Sequence, residues 1–108
     1  MSGRIVGEIL DNAPEDLTTA ELLVLIAIGE DARDRDRRSQ YSDLESLTRR
    51  TRLKPGTVRN ALSTLTRRAI LDPQIDRVHR GGKHQEYVVA KLGGAHRHAL
   101  HIVDGARS

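Results

Sequence analysis

The sequence contains no cysteine, no phenylalanine and no tryptophan, and Tyr41 and Tyr87 are its only tyrosines. Without cysteine there are no disulfides, and a cytoplasmic location is the simplest expectation. With so few rings, the core has to be built from Val, Leu, Ile and Ala. No apolar run approaches the ~20 residues that a membrane-spanning helix needs, so no membrane segment is expected. The opening residues MSGRIVGEIL hold one Arg and lead into acids, which is not the pattern of a signal peptide. A glycine-rich phosphate loop, a Ser-x-x-Lys pair and a carboxylate cluster in an apolar setting are also missing, so neither an enzyme nor a cofactor is expected.

What is present fits one domain of 108 residues with short tails, 37% of it hydrophobic. The formal net charge of +3 hides a strong segregation. Residues 1–36 carry three arginines against nine carboxylates, a net −6, whereas the remainder carries fifteen bases and six acids, a net +9. Either the two parts neutralise each other or the basic part faces a polyanion. The contrast is sharpest in TRRTRLKPGTVRNALSTLTRRAIL, residues 48–71, where seven cationic side chains occur with no acid.

Ile5, Val6, Ile9 and Leu10 fall at helical spacing and predict a short N-terminal helix, ended by Asn12-Ala13-Pro14. In LTTAELLVLIAIGED, Thr18 and Glu21 have capping-box spacing, with Leu17 and Leu22 placed as a hydrophobic staple. These signals predict a helix from about Thr19 to Ala32. Residues 22–28 are apolar on every side, which puts this helix at the centre of the domain or partly at an oligomer contact. Together with the Ile5, Val6, Ile9, Leu10 stripe, this apolar excess raises the expectation of a homodimer through the N-terminal and first core helices. DARDRDRRSQ, residues 31–40, alternates in charge without apolar period and reads as a loop, with Tyr41 a candidate for a very short strand.

Ser42 and Glu45 repeat the capping-box spacing and predict a helix from Asp43 to about Thr51, with Leu44 and Leu47 inward. Pro55 suits the first position of the next helix, where a missing N–H costs nothing. Val58, Ala61, Leu62 and Leu65 form the inward stripe of that helix, which should end near Arg68. After Pro73 the period changes, and Gly81-Gly82 between β-branched runs predicts a hairpin. A two-residue turn there sets Arg80 against Lys83, His79 against His84 and Arg77 against Glu86. Gly93-Gly94 ends the second strand and opens a tail with weak periodicity.

Two helices separated by about three residues must cross steeply, which is helix-turn-helix geometry with the second helix free for a major groove. Opposite its apolar stripe, that helix presents Gly56, Asn60, Ser63, Thr64 and Arg67, flanked by Thr57 and Arg59. Asn pairs with adenine edges, Arg with guanine, and Ser or Thr with a base or phosphate, while Gly56 permits close backbone approach.

With these elements in this order, the chain resembles the winged helix-turn-helix family of bacterial DNA-binding proteins, including small domains of repressors and of plasmid or phage replication proteins. LTTAELLVLIAI corresponds to the first helix, SDLESLTRRTRLKPGTVRNALSTLTRRAIL to the helix-turn-helix and IDRVHRGGKHQEYVV to the wing. The resemblance implies a mainly α fold with a small β-hairpin, a three-helix core plus wing spanning residues 17–92, an N-terminal helical extension at 1–16 and a tail at 93–108. It also implies a wing on phosphate or minor groove through Arg77, His79, Arg80, Lys83 and His84. Arg52 and Lys54 add charge near the implied phosphates. The chain departs from the family where Gly is common, with Arg52 in the turn and Ala69 after the helix; a left-handed backbone there costs these residues about 1 kcal/mol.

The expected function is sequence-specific binding of double-stranded DNA in transcriptional regulation, with plasmid or phage replication or partition as the rival on the same fold. A winged-helix module docking on an acidic protein is the alternative of another class. His96, His98 and His101 have no cysteine and only Asp104 nearby, so no metal site is expected. Tyr41, placed before a helix cap without metal ligands, is expected to pack rather than act as a nucleophile.

Overall fold

Ile5 and Ile9 lie one helical turn apart, and both are withdrawn completely from solvent. They belong to a computed structural model that describes residues 3–40, 42–74 and 85–93. The chain runs through α1 (Gly3–Asn12), α2 (Thr19–Asp31), α3 (Leu44–Thr51), α4 (Pro55–Arg67), β1 (Leu71–Gln74) and β2 (Glu86–Val89). It is thus mainly helical with a small two-stranded antiparallel sheet.

α2 starts as its sequence requires. The Thr18 hydroxyl accepts from the Glu21 amide at 3.1 Å, and the Glu21 carboxylate accepts from the Thr18 amide at 2.9 Å. Each satisfies an amide that the helix itself leaves without a partner. Val24, Leu25 and Ile28 are fully buried, and α2 touches α1, α3, α4 and β2. Its Gly29 lets α1 approach closely: a Cβ there would lie 2.5 Å from Ile9 Cδ1 and 3.2 Å from Ile5 Cγ2. Of the stripe that suggested a dimer contact, Ile5 and Ile9 are used within the chain, while Val6 is half-buried and Leu10 exposed. Leu10 and Leu23 are the large hydrophobics left exposed among the described residues, and the dimer expectation gains no support.

The start of α3 corrects the sequence reading by one residue. Its N-cap is Asp43, whose carboxylate accepts from the Ser46 amide at 3.1 Å, not Ser42. Asp caps as well as Ser, so adjacent candidates compete. Ser42 is instead buried, with its hydroxyl 3.5 Å from Asp31 Oδ2, an atom that also accepts from the Gln40 amide at 2.8 Å.

The charged segment after α2 is irregular, as expected, yet it pairs with the sheet. Arg38 forms a bridge to Val88. The Ser39 amide donates to the Tyr87 carbonyl at 2.8 Å, the Tyr87 amide to Ser39 Oγ at 3.0 Å and the Val89 amide to the Arg37 carbonyl at 2.9 Å. β2 is thereby held on both sides. Tyr41, the expected site of a short strand, lies outside the described residues, and the strand-like pairing occurs earlier, at Arg38.

β1 begins at Leu71, before Pro73 instead of after it, and among the described residues β1 is an edge strand, where proline is tolerated. Leu71 pairs with Val89, Pro73 with Tyr87 and Gln74 with Glu86. The expected pairing of Arg77 with Glu86 is thus incorrect. Glu86 instead forms its ion pair with Arg38. The observed partner of Glu86 lies three positions before the expected one, so the register differs from that of a two-residue turn at Gly81-Gly82.

Arg37 ties these pieces together. It has a positive φ of 59°. Its Nε donates to the Val89 carbonyl at 2.8 Å and one Nη to the Ala90 carbonyl at 3.0 Å, while the guanidinium forms a bidentate ion pair with Glu8 of α1. Glu8 also accepts from the Leu92 amide at 2.8 Å. Burial alone would raise the Glu8 pKa. The hydrogen bonds from Arg37 and Leu92, with the charges of Arg37 and Lys91, more than offset it and hold the carboxyl below the usual 4.5.

Two outcomes follow from this packing. Because the native pKa of Glu8 is depressed, its stabilising contribution is complete above 4.5 and is lost as the pH falls through the lower native value. Glu8→Gln should accordingly be less stable than wild type at pH 7, with the gap narrowing on acidification, as read by urea denaturation at a series of pH values. Gly29→Val should cost about 1–3 kcal/mol by the same method, because the added methyls collide with Ile9.

Candidate nucleic-acid interface

Only residues 52–54 separate α3 from α4. The turn is fixed by Thr51, which is buried and whose hydroxyl donates to the Leu47 carbonyl at 2.6 Å and accepts from the Leu53 amide at 3.3 Å. Arg52 takes the left-handed conformation, φ 64°, and its amide donates to the Thr48 carbonyl at 2.9 Å. Lys54 is the N-cap of α4 but makes no side-chain capping bond, and Pro55 opens the helix.

α4 packs chiefly on α2, with contacts to α3 and β1. Val58, Ala61 and Leu65 are buried and Leu62 is partly so, which is the inward stripe read from the sequence. The other side holds the candidate reading residues. Gly56, Arg59, Asn60, Ser63 and Arg67 are exposed, while Thr57 and Thr64 are half-buried. Arg67 approaches the Thr64 hydroxyl at 3.4 Å. The helix closes in a Schellman motif: the Ile70 amide donates to the Leu65 carbonyl at 2.9 Å and the Ala69 amide to the Thr66 carbonyl at 3.0 Å. Ala69 has φ 60°. Both non-glycine residues at positions where the resembled family often has Gly therefore adopt the left-handed backbone.

Folding neutralises part of the cationic segment. Arg50 pairs with Glu30 at 2.6 Å and Arg68 with Asp16 at 3.0 Å, each a contact between the acidic first third of the chain and the basic remainder. Arg49, Arg52, Lys54, Arg59 and Arg67 are exposed and have no acidic partner among the described residues. These five lie on α3, the turn and α4. Arg49, at the exposed side of α3, was not singled out as a site residue by sequence. Its run of bases was visible, but which of them an acid distant in sequence would neutralise was not.

Arg77, His79, Arg80, Lys83 and His84, the candidates on the hairpin, lie outside the described residues, as do His96, His98 and His101. Among the described residues, no group of three or more His, Cys, Asp or Glu is placed to hold a metal. No helix is long and apolar enough to cross a membrane among them. Compared with known proteins, the chain matches no family model, no curated protein and no solved structure.

The two left-handed residues provide a direct test of this geometry. Glycine adopts that backbone without the Cβ clash but loses more entropy on folding. Ala69→Gly should therefore stabilise the chain by about 0.5–1 kcal/mol, measured as a higher urea midpoint at unchanged slope.

Proposed function

We propose that the chain is a winged helix-turn-helix protein that binds double-stranded DNA with sequence specificity, in the service of transcriptional regulation. The supporting observation is the set of five cations on α3, the turn and the exposed side of α4 that have no acidic partner among the described residues. Cations without an acidic partner among the described residues, five of them gathered on one helix-turn-helix segment, suit a polyanion whose phosphates flank a groove.

In this pose α4 lies in the major groove. Asn60 and Arg59 meet base edges, with Ser63 and Thr64 beside them. Lys54 and Arg52 at the start of the helix, and Arg49 and Arg67 at its margins, neutralise phosphates. Gly56 and Thr57 bring main chain and hydroxyl close to the backbone. The strand pair rises from the end of α4, so a hairpin carrying Arg77, Arg80, Lys83 and His84 would reach the adjacent backbone or minor groove. Replication or partition of a plasmid or phage would use the same pose and differ in the arrangement of sites.

The test separates reading from holding. After selection of bound sequences from a random duplex pool, affinities are measured for selected and random duplexes over a range of salt. Asn60→Ala should cost about 1–3 kcal/mol on the selected site and little on random DNA, relaxing preference at one base position. Lys54→Ala should weaken both alike and reduce the salt slope by about one unit. If wild type shows no salt-dependent binding to any duplex, the DNA reading fails and an acidic protein partner takes its place.

A further inference from the structure

Leu10 is 60% exposed, more than any other large hydrophobic among the described residues. Val6 and Gly7 share its side of α1 one turn earlier. Val6 is half-buried, and Gly7 has no side chain and open space where a Cβ would lie, so Leu10 projects from a low surface. Exposed Asp11 follows it, and exposed Glu15 lies in the turn toward α2. A lone exposed leucine needs no explanation. This one has a counterpart elsewhere on the molecule. An open groove of about 490 Å³, with an almost wholly apolar surface, runs along α3 to the start of α4, lined by Leu44, Glu45, Thr48, Arg49 and Pro55. Arg49, and Lys54 just before Pro55, are exposed cations with no acidic partner among the described residues. The knob therefore belongs to the part of the chain with net charge −6, and the groove to the part with net charge +9.

We infer that the groove receives Leu10 of a second copy of this chain, in a head-to-tail contact. The leucine covers the apolar surface between Leu44 and Pro55. Glu15 of the same copy, with Asp11 beside the leucine, comes against Arg49 and Lys54, outside the groove. Glu45 stands one turn before Arg49 on α3 and repels acids from its own end, so the approaching carboxylates belong at the Lys54 end. Opposite net charges on the two surfaces draw the copies together in this orientation and oppose the like-with-like ones. Phosphates account for the cations alone and offer nothing to the apolar surface beside them. The contact joins unlike surfaces, which distinguishes it from a two-fold docking of N-terminal helices. Every assembly keeps one free knob and one free groove, so association continues past the dimer as concentration rises. The contact itself does not depend on DNA binding. Only its consequence does: it covers Arg49 and Lys54, so self-association and a duplex exclude each other.

The test is sedimentation of the full chain in low salt with no DNA present, so its outcome is independent of the duplex experiments above. The average mass should rise above the monomer with Kd on the order of 0.1 mM, as for a small transient interface. It should return to the monomer in about 0.5 M NaCl, where charges on the two surfaces are screened. Leu10→Ser removes the knob. Pro55→Glu places a carboxylate at the groove, in a helix first turn that accepts acids. Each variant alone should stay monomeric. Their equimolar mixture should form a dimer and nothing larger, because one intact groove and one intact knob remain. Arg49→Glu, at an exposed position, should behave like Pro55→Glu and replaces it in the mixture if that chain does not fold. Three results would each overturn the contact: a wild type that stays monomeric at every concentration, a groove variant that associates as wild type does, and a mixture that forms no dimer.

Discussion

The bidentate pairing of Arg37 with Glu8 is the contact on which the arrangement of the other parts depends. It joins three stretches of chain that are distant in sequence: α1, the loop after α2, and the end of β2 with the residues that follow. Both side chains are mostly shielded from water, so neither charge can be left without the other. Four of the five guanidinium N–H groups are used, two by the Glu8 carboxylate and two by the Val89 and Ala90 carbonyls. This matters in a core that has no Phe and no Trp. Aliphatic side chains alone bring α1 against α2, through Ile5 and Ile9 over Gly29. The ion pair gives that docking a fixed direction and connects it to the sheet.

Charge segregation along the sequence is not carried through unchanged to the surface. Acids from the first third of the chain reach Arg37, Arg50 and Arg68, so the bland expectation of mutual neutralisation is partly realised. Among the described residues, the cations without an acidic partner include five gathered on α3, the turn and the outer side of α4. Thus the fold does not merely display a basic sequence. It sorts the bases into those that hold the molecule together and those available to a partner.

The helices, the central place of α2 and the inward stripe of α4 were legible in the sequence, because each follows from local periodicity and capping chemistry. Thr18 with Glu21, and Pro55, are examples in which the local signal has no competitor. Ser42 and Asp43 compete, and Asp43 takes the cap while Ser42 is buried with its hydroxyl 3.5 Å from Asp31, eleven positions away. The register of the strands was not legible, since it depends on Leu71 and Val89 finding the core and on Arg38 taking Glu86, all of them contacts between distant residues. For the same reason Arg37 was hidden inside a stretch that read as solvated charge. At the candidate site, the exposed residues of α4 could be listed in advance, whereas the separation of free from paired cations, and with it the position of Arg49, required the tertiary structure. The left-handed turns at Arg52 and Ala69 had the opposite history: the positions were marked by the resemblance, and the side chains argued against the conformation that they adopt.

The pairing of β2 on both sides also determines what the sheet leaves open. Tyr87 and Val89 direct their amides toward Ser39 and Arg37, away from β1. In an antiparallel ladder, the residues opposite them, Pro73 and Leu71, then direct their own main-chain nitrogens outward, along the edge of β1 that has no strand partner among the described residues. One of those two nitrogens belongs to proline and carries no hydrogen. A strand from another molecule approaching that edge would meet an interrupted row of donors, beside the exposed Asp72 carboxylate. The proline that breaks the strand pattern in the sequence thus acts as a guard against edge-to-edge aggregation, at no cost to the hydrogen bonds that hold the sheet to its own domain.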